Sequence, residues 1–354
     1  MSRSQRVLHF DAVLDGPGYR EAAAFMAPPS NPGVMSADTT NVAIACQGGG
    51  SHTAFTAGVL RGLLRDVPEQ YEIVGFSGTS GGAACATLAW YGHVHPEEEP
   101  GALLKGFWDD LSASSPLHRA ANELIRWSIQ LQRAGVPIPD VNPAYSPGAK
   151  WGENEFREIL DRYVDFDAVP ALLDGTEPGL FLSAIDVCAG TFEVFREDQL
   201  SPDAILASAA EPHLFEAIEI DGRHYWDGLF SKNPPLEDFM RADDIVDPDE
   251  IWLIKINPQE RPEPPRSMEG IDNRRNELSG NLSMNAEIRF IERINDFIEE
   301  GYLPDRYTHT EINRIRFPKG RKLDWRTKLD RDPEFLDGLV RQGESAAESF
   351  LADR

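Results

Sequence analysis

Three groups of residues in this chain have the types and spacing to do chemistry together. Ser80 lies in Gly78-Thr79-Ser80-Gly81-Gly82, a G-x-S-x-G pentapeptide. A serine at a sharp turn from strand to helix holds its hydroxyl at the C-terminal edge of a sheet, where the helix N-terminus adds positive potential. That is the position of a nucleophile, although small residues also fill ordinary tight turns. Upstream stands Gly48-Gly49-Gly50-Ser51-His52-Thr53. A glycine run before a helix exposes backbone N–H groups and makes an anion site. A phosphate-binding loop would end in Gly-Lys-[Ser/Thr], and a dinucleotide fingerprint needs a third glycine where Thr53 stands. Both fail on residues. An oxyanion hole remains, and it alone makes use of a serine turn on the adjacent strand.

Such a serine needs a base. The histidines are His9, His52, His93, His95, His118, His213, His224 and His309. His224, in "DGRHYWDGLFSKNPP", is the late candidate to complete a Ser-His-carboxylate triad. The same segment carries Asp227 between Trp226 and Gly228. A carboxylate bonded directly to the serine hydroxyl can take its proton if the site is dry enough to strengthen it as a base. A turn or cap role is the plainer alternative for Asp227.

The elements that must position these residues can be read locally. "NVAIAC" over Asn41–Cys46 is a short apolar run halted by glycines, the pattern of a buried strand. "TAFTAGVLRGLLRD" follows with Phe55, Val59, Leu60, Leu63 and Leu64 at helical spacing. "EIVGFSG" and "GGAACATLAWYG" repeat strand, turn and helix, and two such units imply a parallel sheet with helices on its faces. Further strands are expected at "GLFLSAIDV", "GTFEVF" and "EIWLIKIN", so the fold class is α/β. Between them lies an insert with a helix from about His118 to Arg133 and a proline-rich exit, placed to cap a pocket. Leu124, Trp127, Ile129 and Leu131 in it read as core or cap packing.

Composition narrows the partners. The chain has 354 residues with 59 acidic and 34 basic side chains, a formal net charge of -25. That balance argues against nucleic acid, because phosphate recognition needs basic patches. An anionic membrane repels it too. Seven lysines against 27 arginines fit either an arginine-favouring source or an acidic surface suited to high salt. Cys46, Cys85 and Cys188 are too few and scattered for a disulfide framework or a metal cluster. "HVHPEEEP" from His93 lacks ligand spacing and reads as a solvated loop, as does the acidic run from Asp243 to Glu250. Without a signal-like N-terminus or a long apolar span, a soluble, cytoplasmic protein is expected.

"CQGGGSHTAFTAGVLRGLL", "GFSGTSGGA", "LASAAEPHLFEAIEIDGRHYWDG" and "FSKNPPL" together resemble the patatin-like phospholipases, lipid acyl hydrolases with a Ser-Asp dyad. "DNRRNELSGNLSMNAEIRFIERINDFI" is similar to the C-terminal part of bacterial members. The resemblance implies a three-layer α/β/α fold with a mostly parallel sheet and a helical cap insert. It implies residues 1–40 as an N-terminal extension, 41–240 as the catalytic core with a cap insert at about 108–150, and 241–354 as a strand and helical region packed on the same domain. Ser80 would be the nucleophile, Asp227 its base, and Gly48, Gly49 and Gly50 the oxyanion hole. The substrate would be a phospholipid or another long-chain acyl ester, with no metal or organic cofactor. Peripheral membrane contact and oligomeric state stay open. Two positions depart from the family pattern. His52-Thr53 stands where Arg or Lys then Gly is usual, and Leu229 follows Asp227-Gly228 where Gly or Ala is usual. The alternatives are a serine esterase with a His-containing triad and a catalytically degenerate lipid binder.

Overall fold

β1, Thr40–Cys46, is buried along nearly its whole length, as an apolar run flanked by sheet on both sides requires. The glycine turn then leads through a 3-10 turn, Gly50–Thr53, into α1, Ala54–Asp66. β2, Tyr71–Gly78, and α2, Gly81–Val94, repeat the unit as the sequence predicts. The computed structural model describes residues 39–133, 147–318, 323 and 325–354. The N-terminal extension and the proline-rich exit of the insert fall outside the described residues.

The chain continues with α3 (Pro100–Leu111), α4 (Pro116–Arg133), α5 (Pro147–Tyr163) and the short α6 (Val169–Leu172). Then come β3 (Gly179–Asp186), β4 (Thr191–Phe195), α7 (Pro202–Ala209), β5 (Ile218–Ile220) and β6 (Arg223–Asp227). β7 (Glu250–Lys255), α8 (Met268–Glu299), β8 (Glu311–Arg316) and α9 (Pro333–Leu351) complete it.

One sheet runs in the order β5-β6-β3-β2-β1-β7-β8, with β4 also paired to β3. The pairs β1–β2, β1–β7, β2–β3 and β7–β8 are parallel, whereas β4, β5 and β6 run antiparallel to their neighbours. Alternate side chains of the central strands enter two separate cores. Val42, Ile44, Trp252 and Ile254 face the core shared with α1, α2 and α9. Ala43, Ala45, Ile251 and Leu253 face Met284, Ile288 and Ile291 of α8. The fold is the three-layer α/β/α sandwich with a mostly parallel sheet.

The register sets out the site. Cys46 pairs with Gly78 at the ends of β1 and β2, so the glycine turn and the Ser80 turn leave the sheet side by side. Gly78 pairs with Leu182 of β3, and two residues on Ala184 pairs with Asp227. β6 therefore delivers Asp227 to the same end of the sheet. Its hairpin closes through Asp221 and Gly222, both at positive φ (50° and 78°), as a tight two-residue turn demands.

The insert differs from expectation in one respect. α4 forms, but Leu124 and Trp127 are 70% and 62% exposed, not core. The helix is held by polar contacts instead: Asn122 Nδ2 donates to Asp330 Oδ1 at 2.9 Å, and Arg331 N donates to Asn122 Oδ1 at 2.9 Å.

α9 packs on α1 through small residues at close range. A Cβ at Gly58 would lie 2.0 Å from the Val340 carbonyl oxygen, and one at Gly343 would lie 2.1 Å from that of Phe55. Arg61 and Glu344 bridge the same seam at 2.5 Å. A side chain at either glycine must push backbone from backbone. Gly58→Ala is expected to cost about 2–3 kcal/mol, read as a lowered urea midpoint with unchanged slope; an unchanged midpoint would show that the helices do not meet there.

Candidate active site

Ser80 occupies the turn between β2 and α2 with φ 58° and ψ -131°, a conformation few non-glycine residues adopt. Close packing enforces it. A Cβ at Gly78 would meet the Gly82 carbonyl oxygen at 2.4 Å, and one at Gly82 would meet that of Cys46 at 2.3 Å. The Ser80 amide donates to both the Ser208 carbonyl (3.1 Å) and the Ser208 hydroxyl (3.0 Å). Thr79 Oγ1 donates to the Lys232 carbonyl at 2.8 Å. Backbone and neighbours thus fix the turn, and the Ser80 hydroxyl projects beyond it at the start of α2.

The Ser80 side chain favours the ionised form of the Asp227 carboxyl. Asp227 is 3% exposed, and its Oδ1 accepts from the Leu229 amide at 2.8 Å. Burial pushes its pKa up to about 7; the Ser80 side chain and the bond from Leu229 pull it down, the charge of Glu211 pushes it up, and that of Lys328 pulls it down. A carboxylate so placed is a much stronger base than one in water. Leu229, the unusual residue after Asp227-Gly228, supplies one of these amide bonds and is itself buried.

The glycine turn lies against Ser80: a Cβ at Gly48 would stand 3.1 Å from Ser80 Cβ. The expectation that Gly48, Gly49 and Gly50 all offer amides to an anion needs correction at the first. Gly48 N donates to Asn233 Oδ1 at 2.8 Å, so that amide is engaged. Among the described residues no group accepts from the amides of Gly49 or Gly50. Gly50 has φ 53°. His52, which departs from the family pattern, is buried. Its Nε2 lies 2.7 Å from Thr327 Oγ1, and its ring packs near Phe317 and Phe335.

His224 is not brought to the site. It sits within β6, where alternation turns it to the face opposite Asp227, and its Nε2 lies 3.9 Å from Glu219 across the hairpin. Among the described residues no cluster of three His, Cys, Asp or Glu side chains could hold a metal. No described helix is long and apolar enough to cross a membrane.

The family model of patatin-like phospholipases matches residues 44–240, more than half of the chain. The chain belongs to the patatin-like phospholipase family. A solved structure, VipD from Legionella pneumophila, is 14% identical, with a TM-score of 0.38, covering 90% of this chain and 67% of VipD. No curated protein matches. Membership in the patatin-like family supports a lipid acyl hydrolase with lipid substrates.

Sequence reading missed Asn233, Ser208 and Lys328. The first two lie in stretches that carry the patatin-like resemblance, "FSKNPPL" and "LASAAEP", but nothing local marks an amide or a hydroxyl as a strut. Lys328 comes from beyond the matched region and has no motif around it.

Holding Asp227 in a dry site has a stability consequence. The unfolded chain releases this proton near the ordinary 3.8 and the folded chain near about 7. The folded form therefore binds more protons in that window and loses stability as pH rises through it. Asparagine does not titrate. Asp227→Asn is expected to gain on the wild type between about pH 5 and about pH 8, by ~2–4 kcal/mol at the upper end, in urea melts at both pH values. A constant difference would mean that Asp227 is not desolvated.

Proposed function

We propose that this protein hydrolyses the acyl ester bond of a phospholipid or another long-chain lipid ester, with Ser80 as nucleophile and Asp227 as general base. The observation that carries the reading is a serine held at positive φ at the start of a helix, beside a glycine turn and at the same end of the sheet as a buried carboxylate whose ionised form the serine favours.

In the first step Ser80 Oγ bonds to the ester carbonyl carbon while its proton passes to Asp227. The carbonyl oxygen becomes an oxyanion, held by the amides of Gly49 and Gly50, each contributing on the order of 3 kcal/mol by mutational precedent. Collapse expels the alcohol, which takes the proton back from Asp227. Water then loses a proton to Asp227 and attacks the acyl-serine, the fatty acid leaves, and Ser80 recovers its proton. Asn233 keeps Gly48 in place for this. A triad through His224 is disfavoured by the opposite facing of His224 and Asp227.

Contact with a lipid surface is part of the reading. Leu117, Leu124 and Trp127 lie along one side of α4 at helical spacing and are all exposed. The net charge of -25 favours zwitterionic over anionic lipid at low salt.

Two measurements test the reading. Ser80→Ala is expected to abolish both fluorophosphonate labelling and release of fatty acid from lipid esters, whereas His224→Ala keeps both within about twofold; loss of both in His224→Ala would restore the histidine triad. Because Asp227 must be ionised to accept a proton, kcat/KM on a soluble ester should rise about tenfold per pH unit and level off near about pH 7. Failure of the folded wild type to label at all would favour a non-catalytic lipid binder.

A further inference from the structure

The 3-10 turn Gly50–Thr53 and the start of α2 meet with no room between them. A Cβ at Gly81, the residue after Ser80, would lie 2.2 Å from Thr53 Oγ1 and 3.0 Å from the Gly50 carbonyl oxygen. Thr53 is fully buried, and its Oγ1 donates to that same carbonyl at 2.6 Å. One hydroxyl therefore holds the glycine turn by a hydrogen bond and packs against the nucleophile turn at Gly81. The Lys328 backbone also closes on Gly50: a Cβ there would meet the Lys328 carbonyl oxygen at 2.4 Å.

Gly50 needs such partners. Its φ of 53° lies in the left-handed region, and a residue without a side chain turns easily about both of its backbone bonds unless something outside it holds them. Fixing the Gly50 carbonyl fixes its ψ, and so the direction of its amide relative to the start of α2. That amide is one of the two in the glycine turn that no described residue engages. Thr53 supplies the hold at a position where the family pattern has a glycine, which has no hydroxyl to give.

A threonine near the start of a helix often bonds back to a carbonyl one turn earlier, with no bearing on function. The acceptor and the second neighbour set Thr53 apart, since both belong to the two turns that form the candidate site. Thr56, one turn further along α1, is equally buried, and its hydroxyl has no partner among the described residues. It serves as the internal control.

We propose that Thr53 is a positioning residue for the oxyanion hole: its hydroxyl locks the Gly50 carbonyl against the Ser80 turn, and so aims the Gly50 amide at the developing oxyanion. This rests on the Ser-Asp reading above. A donor that works on the oxyanion acts in the transition state and not on the bound ester, so loosening it belongs in kcat and not in KM. A threonine that only fills space would move stability and leave kcat alone.

The test is steady-state hydrolysis of p-nitrophenyl butyrate by the full chain. Thr53→Ser, Thr53→Ala and Thr56→Ala are compared with wild type, and Ser80→Ala is the blank. The two Thr53 variants both lack the methyl and differ only in the hydroxyl. Thr53→Ala should lower kcat about tenfold with KM within about twofold, and Thr53→Ser should keep both within about threefold of wild type. Thr56→Ala makes the same truncation one turn on and should keep both within about twofold. A kcat within about twofold of wild type in Thr53→Ala, or an equal loss of kcat in Thr53→Ser or Thr56→Ala, overturns the proposal. Where circular dichroism finds Thr53→Ala unfolded, Thr53→Cys is read in its place, because it keeps the bulk and offers only a weak donor. Turnover by Ser80→Ala at the wild-type rate overturns the Ser-Asp reading and the role of Thr53 with it; the other contrary results leave that reading standing, so the two failures are distinguishable.

Discussion

Desolvation of the Asp227 carboxylate is the constraint on which the rest of the site depends. In water this group would be a poor base for a serine hydroxyl, because a carboxylate at its ordinary pKa of about 4 holds a proton far more weakly than an alkoxide does. Inside the protein, burial raises its pKa to about 7 while the Ser80 hydroxyl and the Leu229 amide keep the anion tolerable. The fold supplies both conditions at once. β6 ends at the rim of the sheet with Asp227 facing inward, and the strained Ser80 turn emerges two strand positions away.

The family match ends at residue 240, yet the wall behind the site is built from elements C-terminal to it. Gln47, just before the glycine turn, donates to the Gly280 carbonyl at 2.8 Å and to Asn281 Oδ1 at 3.0 Å, both on α8. Its Oε1 accepts from the amides of Ile256 and Asn257, after β7. Asn233, which holds Gly48, is itself anchored to the Gly280 carbonyl at 3.1 Å. A glycine run has no side chains to fix its own path, so its amides point one way only because these buried amide side chains clamp both flanks. α8 and the residues after β7 therefore hold the glycine turn of the candidate site in place as much as the strands before them do.

What could be read in the sequence was what is local. Strand, turn and helix around Gly48 and around Ser80 are each written in fewer than thirty consecutive residues, and both units form where expected. Asp227 and His224 could not be separated by spacing, since both lie in one short strand; alternation across the pleat separates them. The engagement of Gly48 by Asn233 spans 185 positions and that of Gln47 by Asn281 spans 234, and contacts of that range leave no periodic trace. α4 misled for a different reason. Its apolar stripe is real, but periodicity records which side chains share a face and is silent on whether anything covers that face.

The acidic surface and the burial of Asp227 act on the same carboxyl in the same direction. A net charge of -25 creates a negative field that disfavours ionisation of any further carboxylate. Most of that charge is solvent-exposed, and beyond about 10 Å it is screened at ordinary salt. Glu211 is one charge that does act on Asp227, and it pushes the carboxyl toward its protonated form. Burial and Glu211 both press Asp227 toward protonation, whereas the Ser80 side chain and the Leu229 amide press it toward the anion. The ionisation of this carboxyl is set by that local balance and not by the charge of the surface.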